Sequence, residues 1–175
     1  MKLQDLLEGP AYSMQRHIQN MTRTESSLLL KHMDLYKDGT MPIRIAYLRE
    51  IISRRLIDTP EIVAKLKAAG YLEDDVLIHT IVDSNPHLFL ELMDVVNETG
   101  DFLSNNVKLA AVKHMGMNLA LIPNPTPEMI KIGLTDEEFI MDYPDEYERT
   151  VKNIFKNNTI MMNKWLRYAD NVGNM

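Results

Sequence analysis

Signals that open a helix recur along this chain at short intervals and leave little room for other secondary structure. Thr59-Pro60-Glu61 joins a capping hydroxyl to a first-turn proline, whose missing N–H costs nothing there, and to an acid favoured by the helix dipole. Thr126-Pro127-Glu128 repeats the signal, and Pro42, Asn85-Pro86 and Pro144 mark further starts. Thr24 reads as the cap of a helix to about Tyr36, closed by Lys37-Asp38-Gly39-Thr40, and Gly70, Gly100 and Gly116 read as stops. Other helices are expected over Asp74 to Ser84, from Asn105 or Asn106, from Thr135-Asp136, and from Thr159 through Trp165 and Tyr168. Alternating strand-like runs around tight turns are missing, and Asp38-Gly39 sits between two helical patterns. The expected fold is all-α, either a compact multi-helix bundle or a short irregular helical-repeat array.

A length of 175 residues, 45% of them hydrophobic, fits a single helical domain over 1–175 that needs no staples. A possible subdivision follows the charge. Residues 1–58 hold nine Lys/Arg against seven Asp/Glu, a basic set of N-terminal helices, and 59–175 hold ten against eighteen, an acidic part. The net charge of −6 argues against general nucleic-acid binding while allowing a local basic patch. The absence of cysteine excludes disulfides, thiolate metal sites and a cysteine nucleophile. The opening MKLQDLLEGP lacks the apolar core of a signal peptide, and no stretch has the ~20 apolar residues of a transmembrane helix. A cytoplasmic location without membrane contact is therefore expected, which makes the Asn-x-Thr sequons at Asn20, Asn97 and Asn157 incidental.

The stretch Val107-Lys108-Leu109-Ala110-Ala111-Val112-Lys113, Gly116, Leu119-Ala120, Ile122 and Asn124-Pro125-Thr126-Pro127-Glu128 resembles one unit of a short helical repeat. That repeat is a domain of unknown function found in large bacteriophage and giant-virus proteins. The resemblance covers about residues 105–143 and departs at Ile132-Gly133-Leu134, where the next unit would carry another Ala-Val helix. It implies an architecture and a viral origin, with the host cytoplasm as the setting. It implies no reaction, because the family carries no assigned catalytic residues.

Catalytic constellations are scarce. None of the seven glycines belongs to a phosphate-binding loop pattern. The serines at 13, 26, 27, 53, 84 and 104 lie outside a nucleophile elbow. Asp74-Asp75 and Asp136-Glu137-Glu138 fall where a helix N-terminus explains paired acids without catalysis. The nearest approach to a metal site is His79, Asp83, His87 and Glu91, two pairs four residues apart that would converge if their helices met at Ser84-Asn85-Pro86. Ordinary surface pairs have the same spacing. No cofactor is expected.

Two charged segments suit contact with a partner. Arg44, Arg49, Arg54 and Arg55 lie in a helix expected from Pro42 to Ile57, where about 100° per residue would aim Arg44 and Arg55 the same way. Arginine forks match phosphate or carboxylate, so the helix could meet a protein, a nucleic acid or the chain's own acids. Asp136, Glu137, Glu138, Asp142, Asp145, Glu146 and Glu148 place seven acids in a short run. Such a strip is either a solvated helix face or a dock for a basic partner. The thirteen methionines, with Met161-Met162 near Trp165, suit core filling or an adaptable surface. The expected function is a non-enzymatic, phage-type accessory protein that binds a protein partner, inhibiting a host enzyme or defence factor. The alternatives are a nucleic-acid binder using the Arg44–Arg55 helix and a metal-dependent enzyme at the His79 cluster. Oligomeric state is not legible.

Overall fold

Chain punctuation sets the helix boundaries in the computed structural model, which describes residues 10–83 and 87–173. Among these residues are twelve α-helices, two 3₁₀ turns and no strand. The all-α expectation is met. The described residues divide into two compact units with the boundary between Leu103 and Ser104. The change of charge at 58/59 falls inside the first unit: charge records surface composition, whereas a unit is defined by which apolar faces bury one another.

In the first unit, α1 (Pro10–Arg23) is followed by α2 (Ser26–Leu29), a 3₁₀ turn (Leu30–His32) and α3 (Met33–Lys37). The expected cap at Thr24 is not one. Its hydroxyl donates back to the Asn20 carbonyl at 2.7 Å, and α2 begins after Glu25 with no side-chain cap. Next come α4 (Met41–Ser53), α5 (Pro60–Ala68), α6 (Asp74–Val82) and α7 (Leu88–Thr99). Thr59 does cap α5, accepting from the Ile62 amide, as the sequence implied. The Asn85-Pro86 start lies outside the described residues.

Helix α4 is the hub of this unit. Ile45, Tyr47, Leu48, Ile51 and Ile52 are buried on it, and α1, α6 and α7 pack around it. Apolar residues on more than one face are what a central helix requires, since each neighbour must find its own stripe. Tyr47 stacks between Tyr36 and Tyr71, with ring centroids 5.3 and 4.7 Å away. The Tyr47 and Tyr71 hydroxyls donate to the carbonyls of Leu29 and Met33 at 3.0 and 2.8 Å. These bonds tie Tyr47 of α4 and Tyr71, just past α5, to the α2–α3 segment.

The second unit contains α8 (Asn105–His114), a 3₁₀ turn (Gly116–Leu121), α9 (Pro127–Leu134), α10 (Glu137–Asp142), α11 (Pro144–Ile154) and α12 (Thr159–Gly173). Ser104, not Asn105 or Asn106, caps α8, accepting from the Val107 amide at 3.2 Å, and Thr126 caps α9. Over 105–143 the order is therefore helix, glycine, short helix and proline-started helix. The core joins Val107, Ala111, Val112, Leu119, Met129, Leu134, Phe139, Tyr147 and Val151. At Gly133 a Cβ would come within 2.9 Å of the Leu119 side chain, so the bare glycine is what lets α9 lie close on the 3₁₀ turn.

Candidate functional site

The arginines are spent inside the first unit. Arg44 donates to the Gly70 carbonyl just past α5 and lies 3.4 Å from the Glu73 carboxylate. Arg49 donates to the Asp83 carbonyl at the end of α6, at 3.1 Å. Arg54 reaches the carbonyls of Thr24, Thr22 and Met21 at 2.6, 2.9 and 3.2 Å, at the end of α1, and also bonds the Glu50 carboxylate. Three guanidinium groups thus meet three helix C-termini, where carbonyls are open and the dipole favours a cation.

The fourth arginine is different. Helix α4 ends at Ser53, short of the expected Ile57, and Arg55 stands beyond it in the left-handed region with φ 52°. Arg44 and Arg55 therefore share no helical face. Arg55 is exposed and faces Asp94 at 3.3 Å. The groups these four arginines meet belong to their own unit.

The metal quartet is not assembled. His79 and Asp83 lie 3.6 Å apart as an exposed pair, and among the described residues no three His, Asp or Glu side chains converge to hold an ion. The corner Ser84-Asn85-Pro86 is outside the described residues. The i,i+4 spacing was a helix-surface pair, as such spacing commonly is.

Within the acidic run, one residue is internal. Asp136 accepts from the Phe139 amide at 3.0 Å, capping α10, and from the Gly116 amide at 2.8 Å. A Cβ at Gly116 would sit 2.4 Å from that of Asp136, so the brace closes on bare backbone. Glu146 pairs with Arg149 at 2.8 Å, and Glu148 pairs with Lys152. Glu137, Glu138, Asp142 and Asp145 are exposed.

Beside this run lies a groove of about 610 Å³ that residue patterns did not single out. Helix α12 supplies Leu166, Ala169, Asp170 and Gly173, spaced three and four apart and so on one face. Helix α10 supplies Ile140 and Met141; α11 supplies Pro144, Tyr147 and Glu148. Ala169 and Gly173 are too small to fill the space opposite α10 and α11, and the trough stays open. Tyr147 is fixed in place: it is buried, edge-on to Phe139, and donates to the carbonyls of Leu134 and Trp165 at 3.1 and 3.4 Å. Burial pushes its phenol well above the ordinary value, with the neighbouring Tyr168 adding to the shift.

The surroundings are partly apolar and solvent-facing. Met141 is 61% exposed, Tyr143 41%, and α12 carries no fully buried residue, with Ile160 at 83%. The acidic strip had been legible in the sequence and the trough beside it had not. The one available signal was the small-residue row at 169 and 173 opposite a helix with Met141 in its last turn.

No helix among the described residues is long and apolar enough to cross a membrane. No protein-family model, curated protein or solved structure matches this chain.

Proposed function

We propose that this chain is a non-enzymatic accessory protein that acts by binding a protein partner through the second unit. The observation that carries the reading is the open trough of α10, α11 and α12, with uncovered Met141 and Tyr143 beside exposed carboxylates. Water-exposed apolar area rimmed by charge is the usual anatomy of a protein interface. Engagement of Arg44, Arg49 and Arg54 at helix ends supports a protein over a nucleic acid, because those forks are not offered to phosphate. The helix–glycine–short helix order over 105–143 is the basis for the phage-type part of the proposal, with inhibition of a host enzyme or defence factor as its mode of action.

Capture from host lysate tests the reading with the tagged protein and its Met141→Lys form side by side. The expected result is one stoichiometric host protein retained by the first and lost from the second. Retention of the same protein by both forms would remove the groove as the site. No stoichiometric partner in several hosts would remove the proposal.

A further inference from the structure

The 15 residues of α12 lie against their unit without one of them being buried. Its inward row is Met161, Met162, Trp165, Leu166, Ala169 and Val172, at the spacing of one helix face, and each of these is only half-buried. Helices α8, α9 and α11 of the same unit bury residues completely, Val107, Leu134 and Val151 among them. The trough beside Ala169 and Gly173 is part of the reason, because side chains next to open space lack packing partners on that side.

Two polar observations point the same way. The Tyr147 hydroxyl reaches the Trp165 carbonyl at 3.4 Å, a longer bond than the 3.1 Å one it makes to Leu134. The Trp165 indole Nε1 is shielded from water and meets no acceptor among the described residues. A donor in that state carries an uncompensated desolvation cost, and water satisfies it once the helix lifts away. The rest of the unit is tied together without α12. Asp136 caps α10 and braces Gly116, Tyr147 keeps its bond to Leu134, and α8, the 3₁₀ turn, α9 and α11 pack on one another.

We infer that α12 is a releasable strap, which leaves α10 and α11 as one piece while the remainder of the second unit stays folded. Release uncovers Ile140 and Tyr147, which are 5% and 2% exposed in the closed form, and frees the apolar row of α12. A partner that needs the uncovered face binds only the open fraction, so closure of α12 restrains binding. That consequence rests on the protein-binding reading given above; the release itself does not.

Hydrogen exchange of the full chain, with no partner present, tests the release. The amides of α12 should exchange together, about 100-fold faster than those of Ala111 and Val112 in α8 after correction for intrinsic rates. The indole N–H of Trp165, the one tryptophan in the chain, should exchange with them. Leu166→Ala, which removes contact, should speed exchange of α12 about tenfold and leave α8 unchanged. Ala169→Leu adds apolar contact in the trough and should slow α12 about tenfold, again without effect on α8. Equal rates in α12 and α8, or variants that move both helices alike, would show that α12 opens only when its unit unfolds, and would overturn the strap. A gradient of rates along α12 would be fraying from one end and would overturn it too. Either result leaves the partner reading to the capture experiment.

Discussion

Arg54 and Arg55 are adjacent, chemically identical and put to different uses. The Arg54 guanidinium bonds three carbonyls at the end of α1 and the Glu50 carboxylate, and its side chain is 22% exposed. The Arg55 side chain meets Asp94 alone, at the surface, and its backbone holds the turn: the Leu56 amide donates to Ile51 and the Arg55 amide to Ile52, a helix stop that favours glycine. Gly70 ends α5 through the same pair of bonds, to Lys67 and from Tyr71 to Leu66. Arg54→Ala should therefore cost about 2 kcal/mol, since it strands carbonyls as well as removing charged bonds. Arg55→Gly should gain about 1 kcal/mol by relieving the left-handed strain of a residue with a Cβ. Urea midpoints of the two variants, moving in opposite directions, check both. The missing glycine is also why the sequence carried α4 on to Ile57.

Three tyrosines make a second case at this scale. Burial raises the phenols of Tyr47, Tyr71 and Tyr147 above their ordinary value of 10.0. In the unfolded chain they lose their protons near that value, while the folded chain still holds them. The unfolded state then binds fewer protons, so stability falls as pH rises. The contribution is complete below pH 10.0 and is lost progressively above it, toward the raised folded values. Helical circular dichroism and tyrosinate absorbance followed together in alkali should show a late tyrosinate step that coincides with loss of helix. Complete tyrosinate formation with the helix intact would contradict the burial.

Helix by helix, the sequence was legible wherever a start is chemically local. Thr59 and Thr126 cap through their own hydroxyls, and each is followed by a proline that fits the first turn. It was misleading where a hydroxyl has two uses. Thr24 and Thr135 both donate backward, to Asn20 and Lys131, and the cap falls to the next candidate, without a side-chain bond at Glu25 and with one at Asp136. Asp136 then does more than start α10, because its second oxygen ties the Gly116 amide and so joins α10 to the 3₁₀ turn. Asp136→Ala removes a cap, worth about 1 kcal/mol, and strands a part-buried N–H at similar or greater cost. A loss of about 2–3 kcal/mol is expected in urea unfolding. Asp142→Ala, at an exposed position in the same acidic run, should change stability by under ~0.5 kcal/mol. Equal effects would mean that the acids act as one electrostatic strip.

At the level of the whole chain, the two units redistribute what the charge count suggested. The stretch 59–103 carries nine Asp/Glu against two Lys/Arg and belongs with the arginine-bearing helices, so the first unit contains both excesses. Arg44 with Glu73 and Arg55 with Asp94 are the local outcome of that mixture. Sequence reading could not find this boundary because Leu103-Ser104 looks like any loop before a helix cap. What marks it is burial: Leu48, Ile51, Leu92 and Val96 close one core, and Val107, Leu119, Phe139 and Val151 close another. Separate cores predict separate folding. Chains 1–103 and 104–175, made apart, should each give a helical spectrum and a cooperative urea transition. The shorter one, at ~70 residues, lies near the size where a single core is marginal, so it should melt at the lower denaturant concentration. If the 104–175 chain were featureless at every temperature, its core would not suffice alone, and the docking groove would have to be studied only in the full chain.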